Sequence, residues 1–315
     1  MVKYKEVPIY TDVTPELFIN SIWNRREPAL LRGIDIGECT AKWTTEYLSE
    51  KIGALDVKVH VSQHEKLDFI NKNFVYKTLP FNELLERVSG TSKAFFLSPN
   101  EYYYLRSLGL DPRGREIADI RKQFPFIAAD LKIPHFFKDE AFFSSVLRIG
   151  SKNVQLWTHY DVMDNILIQV RGRKRIALFK PSEALSMYLV GDKSRVLDID
   201  NPDASEFPKF SSVLRHECIM ESGDIIFIPA LWFHNTLALD NGIAVNVFWK
   251  HLPEELYDKK DVYGNKDHIP AARAIQMTEN ATKLLETLPG EYRDFYCRRM
   301  IAILENKLCG QEDKI

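Results

Sequence analysis

No stretch of this 315-residue chain approaches the ~20 consecutive apolar residues that crossing a bilayer requires, so no membrane span is expected. Cysteine is scarce. The four present (Cys39, Cys218, Cys297 and Cys309) are widely spaced and form no CxxC pair, which excludes a disulfide framework and a zinc knuckle and points to a reducing compartment. An excess of one charge is also missing: 42 Lys and Arg stand against 44 Asp and Glu, a formal net charge of −2. A protein that grips nucleic acid over its whole surface is more basic than this, although a local basic patch remains compatible. The opening Met1-Val-Lys-Tyr-Lys-Glu-Val-Pro8 lacks the apolar run of a signal peptide, and no repeat or low-complexity segment follows. The expectation is a soluble intracellular protein, cytoplasmic with the nucleus left open. With 45% hydrophobic residues it can bury a core without staples.

The pattern along the chain changes twice. Thr14 with Pro15 starts a helix, Ala29–Arg32 reads as a strand, Thr44 to Lys51 as a helix stopped by Gly53, and Val57–Val61 alternates as a half-buried strand. Pro80 opens a short helix through Leu85, and Ala94–Leu97 is predicted to be a strand. From Ser144 to about His251 short apolar runs alternate with turn chemistry. Arg171-Gly172-Arg173 and Asp240-Asn241-Gly242 each sit between two such runs and read as hairpin bends. Many short strands at this spacing predict a sandwich or barrel-like double sheet. After Pro253 the periodicity becomes helical, over Pro270 to Leu288 and Glu291 to Leu308. Tyr292, Phe295, Tyr296, Met300 and Ile303 form an apolar stripe in the second helix. That stripe either caps its own domain or pairs with a second copy of the chain. The tail Gly310–Ile315 is expected to fray. The organisation read from this is three-part: residues 1–140, N-terminal α/β elements; 141–252, a β-rich core; 253–315, a helical region.

The chemistry concentrates in Leu156-Trp-Thr-His-Tyr-Asp-Val-Met-Asp-Asn165. His159 and Asp161 are two apart, so on a strand both project from one face. An imidazole and a carboxylate on a common face are two-thirds of the 2-His-1-carboxylate triad of non-haem iron oxygenases. His234, after the apolar Gly223–Phe233 run, is the candidate third ligand. Taken singly, His159 is equally a hydrogen-bonded core histidine and His234 a packing residue. Lys174 lies just beyond the Arg171–Arg173 bend. Alternation sets it with Ile176 and Leu178, away from Arg173 and Arg175. Its plain reading is a solvated strand charge; if it is buried, it needs an anion.

His159-x-Asp161, Gly223-Asp224-x-x-Phe227-Ile228-Pro229-x-x-Trp232-x-His234 and Asn246-x-Phe248-Trp249 together resemble the JmjC-domain hydroxylases. The resemblance covers most of the chain. It implies a mainly β fold, a double-stranded β-helix (jelly-roll, cupin-like) core with N-terminal α/β elements and C-terminal helices. It implies Fe(II) held by His159, Asp161 and His234, and 2-oxoglutarate as cosubstrate with O₂. The distal carboxylate of 2-oxoglutarate would meet Lys174, with Asn165 and Tyr104 as hydrogen-bonding partners. Asn73-Phe-Val-Tyr, Ala118–Pro125, Tyr263-Gly-Asn-Lys-Asp267 and Asp294-Phe-Tyr are similar to the branch of that family that hydroxylates the wybutosine side chain of the modified guanosine beside the anticodon of phenylalanine tRNA. That likeness implies a tRNA partner and a homodimer built through the C-terminal helices.

Three alternatives stay open on the sequence. They are a JmjC protein hydroxylase acting on an asparaginyl or other side chain, a zinc-binding cupin isomerase with the same ligands, and a jelly-roll module without catalysis. A tRNA substrate needs positive surface. The candidates are Arg121-Lys122, Arg171/Arg173/Arg175, Lys193/Arg195 and Arg298-Arg299, each also readable as a solvated charge. Arg148 reads as a partner in a structural ion pair or as a residue of the substrate entrance. Trp157, Tyr160, Phe233 and Trp249 are core aromatics by default and stacking surfaces for a base otherwise.

Overall fold

The computed structural model describes residues 3–111 and 114–308; the tail Gly310–Ile315 lies outside them, as does Cys309. The described chain divides into two compact units. One runs to residue 254 and takes in 259–266; the other holds 255–258 and the residues from 267 onward.

The first unit contains fifteen strands among its described residues: β1 Lys3–Glu6, β2 Ile9–Thr11, β3 Ala29–Arg32, β4 Asp56–Ser62, β5 Phe74–Pro80, β6 Tyr102–Arg106, β7 Phe142–Gly150, β8 Asp164–Arg171, β9 Lys174–Phe179, β10 Leu189–Val190, β11 Lys193–Ser194, β12 Leu214–Met220, β13 Ile225–Ile228, β14 Phe233–Ala238 and β15 Gly242–Trp249. Nine form a large sheet in the order β2-β3-β13-β8-β15-β7-β6-β4-β5. Four form a smaller sheet in the order β1-β12-β9-β14, and β10-β11 stand as a pair. Ile176, Leu178, Cys218 and Met220 of the small sheet pack against Leu30, Leu167, Ile226, Ile228 and Ala244 of the large one, so the two layers share an apolar interior. This is a jelly roll, with successive strands passing from layer to layer. The N-terminal strands belong to the same sheets as the core strands.

The two bends are layer crossings and not hairpins. β8 lies in the large sheet and β9 in the small one, and β14 and β15 are divided the same way. Turn chemistry specifies a reversal of the chain but leaves the choice of hydrogen-bonding partner to the packing of the layers. The two corners touch. Gly172 has φ +71°, and a Cβ on it would stand 2.4 Å from the Asn241 carbonyl oxygen, so only glycine fits there.

The outer face of the large sheet is covered by the helices Thr45–Ile52 and Phe81–Ser89, which bury Leu48, Ile52, Phe81 and Leu84 with Val57, Val59 and Leu105. The first helix starts as its sequence indicates, with the Thr44 side chain accepting from the Tyr47 amide at 3.2 Å. Ala94–Leu97 is not a strand. The Glu101 carboxylate takes the Phe96 and Leu97 amides at 2.8 and 2.6 Å, which removes them from any ladder. The strand forms instead at Tyr102–Arg106.

The second unit is built on the helices Ile269–Leu285 and Gly290–Glu305, joined across Pro289. Tyr292, Phe295 and Ile303 are each more than half exposed. Among the described residues no helix is long and apolar enough to cross a membrane.

Candidate functional site

The His159–Asp161 segment is extended but belongs to no regular strand. Its amides are distributed among different partners: His159 to His234, Tyr160 to the Asp192 carbonyl, Val162 to the Gly264 carbonyl. His159 forms single bridges to His234 and Lys193. The turn Pro229–Trp232 then delivers His234 at the head of β14, with the Leu231 amide on the Asp161 carbonyl at 2.8 Å.

His159, Asp161 and His234 offer ligand atoms that all lie within 4.8 Å of one another. His234 Nε2 is 3.5 Å from Asp161 Oδ2. The tautomers follow from the neighbours. His159 Nδ1 is 3.0 Å from the Trp157 carbonyl and His234 Nδ1 is 3.0 Å from the Trp232 carbonyl. A carbonyl only accepts, so each Nδ1 donates and each Nε2 keeps its lone pair. Burial holds His159 well below the ordinary histidine range, helped by His234 beside it, so the neutral, ligating form is favoured. Burial raises Asp161, which is 8% exposed. Two imidazole nitrogens and one carboxylate oxygen, none paired with a Lys or Arg at ion-pair distance among the described residues, suit a divalent metal.

Lys174 heads β9 and shares a face with the cluster. In the ladder Lys174 stands opposite Ala238, Ile176 opposite Thr236 and Leu178 opposite His234. Four residues separate the Lys174 and His234 levels, about 13 Å along the sheet. Its neighbour on the other side is Met220, so no carboxylate flanks it. Burial, then the Arg148 charge, brings the Lys174 ammonium down to about 7. Lys174 is half-buried and lines a small cleft, so it is not a fully solvated strand charge.

Tyr104, Arg148, Lys174 and Thr236 line one small cleft. Arg148 donates to the Tyr104 hydroxyl and, from Nε, to Asn246 Oδ1 at 2.5 Å. Arginine only donates, which fixes the Asn246 amide: its Nδ2 must donate onward to Asn165 Oδ1, at 3.1 Å. Asn165, 1% exposed, is left with a buried Nδ2 that has no partner among the described residues. The Tyr104 hydroxyl, already accepting from Arg148, likewise keeps its own hydrogen to give. Arg148 makes no ion pair among the described residues; its partners are neutral. Thr236 escaped the sequence reading, although alternation along β14 from His234 marks it.

A second, larger cavity of about 280 Å³ is lined by His159 and Asp161 with Lys58, Arg106, Arg148 and Trp157 among others. Trp157 stacks on Phe69 at 3.5 Å between ring centroids. Of the four aromatics weighed from sequence, it is the one in this cavity. Tyr160 and Phe233 meet edge to face behind the small sheet, and Trp249 packs in the helix-side core. Most basic candidates are engaged by acids: Arg121 by Asp119, Arg173 by Asp240, Arg175 by Asp200, Lys193 by Asp192, Arg195 by Glu206 and Arg298 by Asp294.

The chain is similar to known proteins over most of its length. A family model described as a cupin-like domain matches residues 15–255. The chain is 56% identical over 303 residues to a Danio rerio protein named tRNA wybutosine-synthesizing protein 5, covering 96% of this chain and 93% of that one. It is 55% identical over 302 residues to the Homo sapiens protein of the same name, covering 96% of each. A Gibberella zeae protein named tRNA wybutosine-synthesizing protein 4 is 35% identical over 282 residues, 87% of this chain and 26% of that longer one. By its fold, its matched domain and these near full-length identities, the chain belongs to the cupin-like domain family and, within it, to the tRNA wybutosine-synthesizing protein 5 group.

Proposed function

We propose that this protein is an Fe(II)- and 2-oxoglutarate-dependent dioxygenase that hydroxylates the wybutosine side chain of the modified guanosine beside the anticodon of phenylalanine tRNA. The observation that carries the reading is the His159–Asp161–His234 cluster with Lys174, which has no ion-pair partner among the described residues, on the same face as His234. When bound, iron with 2-oxoglutarate and O₂ supplies the oxidising power to hydroxylate an unactivated carbon, with succinate and CO₂ leaving.

The chain's own residues contribute binding, orientation and exclusion of water. The Nε2 atoms of His159 and His234 and the Asp161 carboxylate hold the metal. Lys174 takes the distal carboxylate of 2-oxoglutarate as a charge-assisted partner. The Tyr104 hydroxyl and the orphaned Asn165 Nδ2 supply neutral donors to the same ligand. The names of the relatives support a wybutosine-bearing tRNA as substrate, and the cavity lined by His159 and Asp161 offers room for its modified base. The exposed apolar face of Gly290–Glu305 supports a homodimer through the C-terminal helices.

Anaerobic titration tests the cofactor assignment. Fe(II) followed by 2-oxoglutarate is expected to give a visible charge-transfer band that neither gives alone with the protein. Absence of that band, with zinc retained in its place, would favour the hydrolytic or isomerase chemistry of a zinc cupin.

A further inference from the structure

In the register of the large sheet, Arg106 of β6 stands directly opposite Arg148 of β7. On the other side of β6, Val59 is opposite Leu105 and His60 opposite Tyr104, so Lys58 continues that ladder beside Arg106. Three adjacent strands thus carry a transverse row of three cations, Lys58–Arg106–Arg148. All three line the cavity that contains His159 and Asp161. The alternate residues Val57, Val59, Leu105 and Leu147 fill the core behind them, which fixes the direction of the row.

Like charges directly opposed on neighbouring strands are destabilising unless something compensates them. The protein supplies little compensation. Asp161 belongs to the metal cluster. Asp192 is taken by Lys193 and by Asn265 Nδ2 at 3.2 Å. Arg148 is bonded to the neutral Tyr104 and Asn246 side chains. The Arg106 guanidinium lies over the Tyr263 ring at 4.7 Å, the Lys58 ammonium over the Tyr76 ring at 4.5 Å, and neither has an ion-pair partner among the described residues. His60 adds a neutral wall, its Nδ1–H on the Tyr104 carbonyl at 3.0 Å and its ring pushed down to about 4 by burial. Burial, then the Arg148 charge, brings Arg106 down to about 10.

We propose that Arg106, assisted by Lys58, is an anion-recognition subsite for an acidic group of the substrate, a carboxylate or a phosphate, and that Arg106 sets specificity for it. The inference rests on the tRNA-modifying reading for the identity of the substrate, but the subsite itself stands on the row of cations. On a tRNA the anion is either a free carboxylate on the modified base or a backbone phosphate next to it.

The test uses the metal-free full chain, so that binding is read without turnover. Affinity is measured for phenylalanine tRNA with a free carboxylate on the modified guanosine, for the same tRNA with that carboxylate methyl-esterified, and for the unmodified transcript. Arg106→Gln is expected to weaken binding about tenfold. A loss confined to the free acid identifies the carboxylate, and an equal loss on all three RNAs identifies a phosphate. Arg106→Lys, which keeps the charge, recovers part of either loss. Unchanged affinity for all three RNAs overturns the proposal. A second measurement on the wild-type chain needs no variant and no RNA. Phenylglyoxal modification of Arg106, followed by mass spectrometry, is expected to slow with inorganic phosphate or acetate present. Equal rates with and without both anions overturn the subsite, whereas failure of the wild-type chain to bind any RNA bears on the tRNA reading alone.

Discussion

His159 and His234 are joined backbone to backbone: the amide of each donates to the carbonyl of the other, at 3.2 and 2.8 Å. A pair that exchanges both hydrogen bonds is held at a fixed spacing before any ligand arrives. With each Nδ1 also tied to a carbonyl, the two imidazoles are set without help from Asp161. Asp161→Ala is therefore expected to lower metal affinity by more than about 100-fold while the thermal transition stays cooperative. Metal analysis of the anaerobically reconstituted variant beside a melting curve checks this. Stoichiometric metal in the variant would remove Asp161 from the ligand set.

Lys174 makes stability depend on pH. Unfolded, it titrates near the ordinary lysine value of 10.5; folded, burial and Arg148 bring it down to about 7. Between those values the unfolded chain holds a proton that the folded chain has shed. Its contribution to stability therefore grows as pH rises through that window and is lost as pH falls back to about 7. Lys174→Met is expected to be more stable than wild type near neutral pH, with the gap closing toward about pH 10. Denaturant melts at several pH values measure it. In the same melts 2-oxoglutarate with metal is expected to raise the wild-type Tm far more than that of the variant.

Asp164 ties the N-terminal segment to the turn that delivers His234. Its fully buried carboxylate accepts from Arg26 at 2.6 and 2.8 Å, from Trp23 Nε1 at 2.7 Å and from the Ala230 amide at 2.8 Å. Asp164→Ala leaves these donors unpaired and is expected to cost about 3 kcal/mol, read as a drop in the midpoint of denaturant unfolding. Weaker metal binding should accompany it, because the Pro229–Trp232 turn loses its anchor.

The legible parts of this sequence were those in which one local pattern decides the outcome. Thr44 caps its helix because a threonine oxygen meets an amide three residues on, and Lys174 faces inward because strand alternation leaves it no other side. His159, Asp161 and His234 were found from spacing and family resemblance, and they meet in space. The row Lys58–Arg106–Arg148 was not legible, because it depends on β4, β6 and β7 lying side by side, and strand order is a tertiary outcome. The bends at Gly172 and Asn241 misled for the same reason: the residues specify a reversal, and the layers decide which strand pairs with which. Ala94–Leu97 misled because a single carboxylate, Glu101, outcompetes a ladder for two amides.

The C-terminal helices carry their own test. Phe295 and Ile303 present exposed apolar surface that a second copy would cover. Phe295→Glu with Ile303→Glu is expected to turn a dimer into a monomer in light scattering coupled to size exclusion, leaving the far-ultraviolet helix signal largely intact. A wild-type chain that is monomeric at micromolar concentration would remove the dimer from the account.

The most direct measurement is mass spectrometry of phenylalanine tRNA carrying a wybutosine precursor, after incubation with anaerobically iron-loaded protein and air. The account expects the modified guanosine to gain the mass of one oxygen, with succinate formed in step, only when 2-oxoglutarate is present, and neither change with Asp161→Ala. Oxygen gain without 2-oxoglutarate, or 2-oxoglutarate turnover that never marks the tRNA while a peptide substrate is hydroxylated, would contradict it.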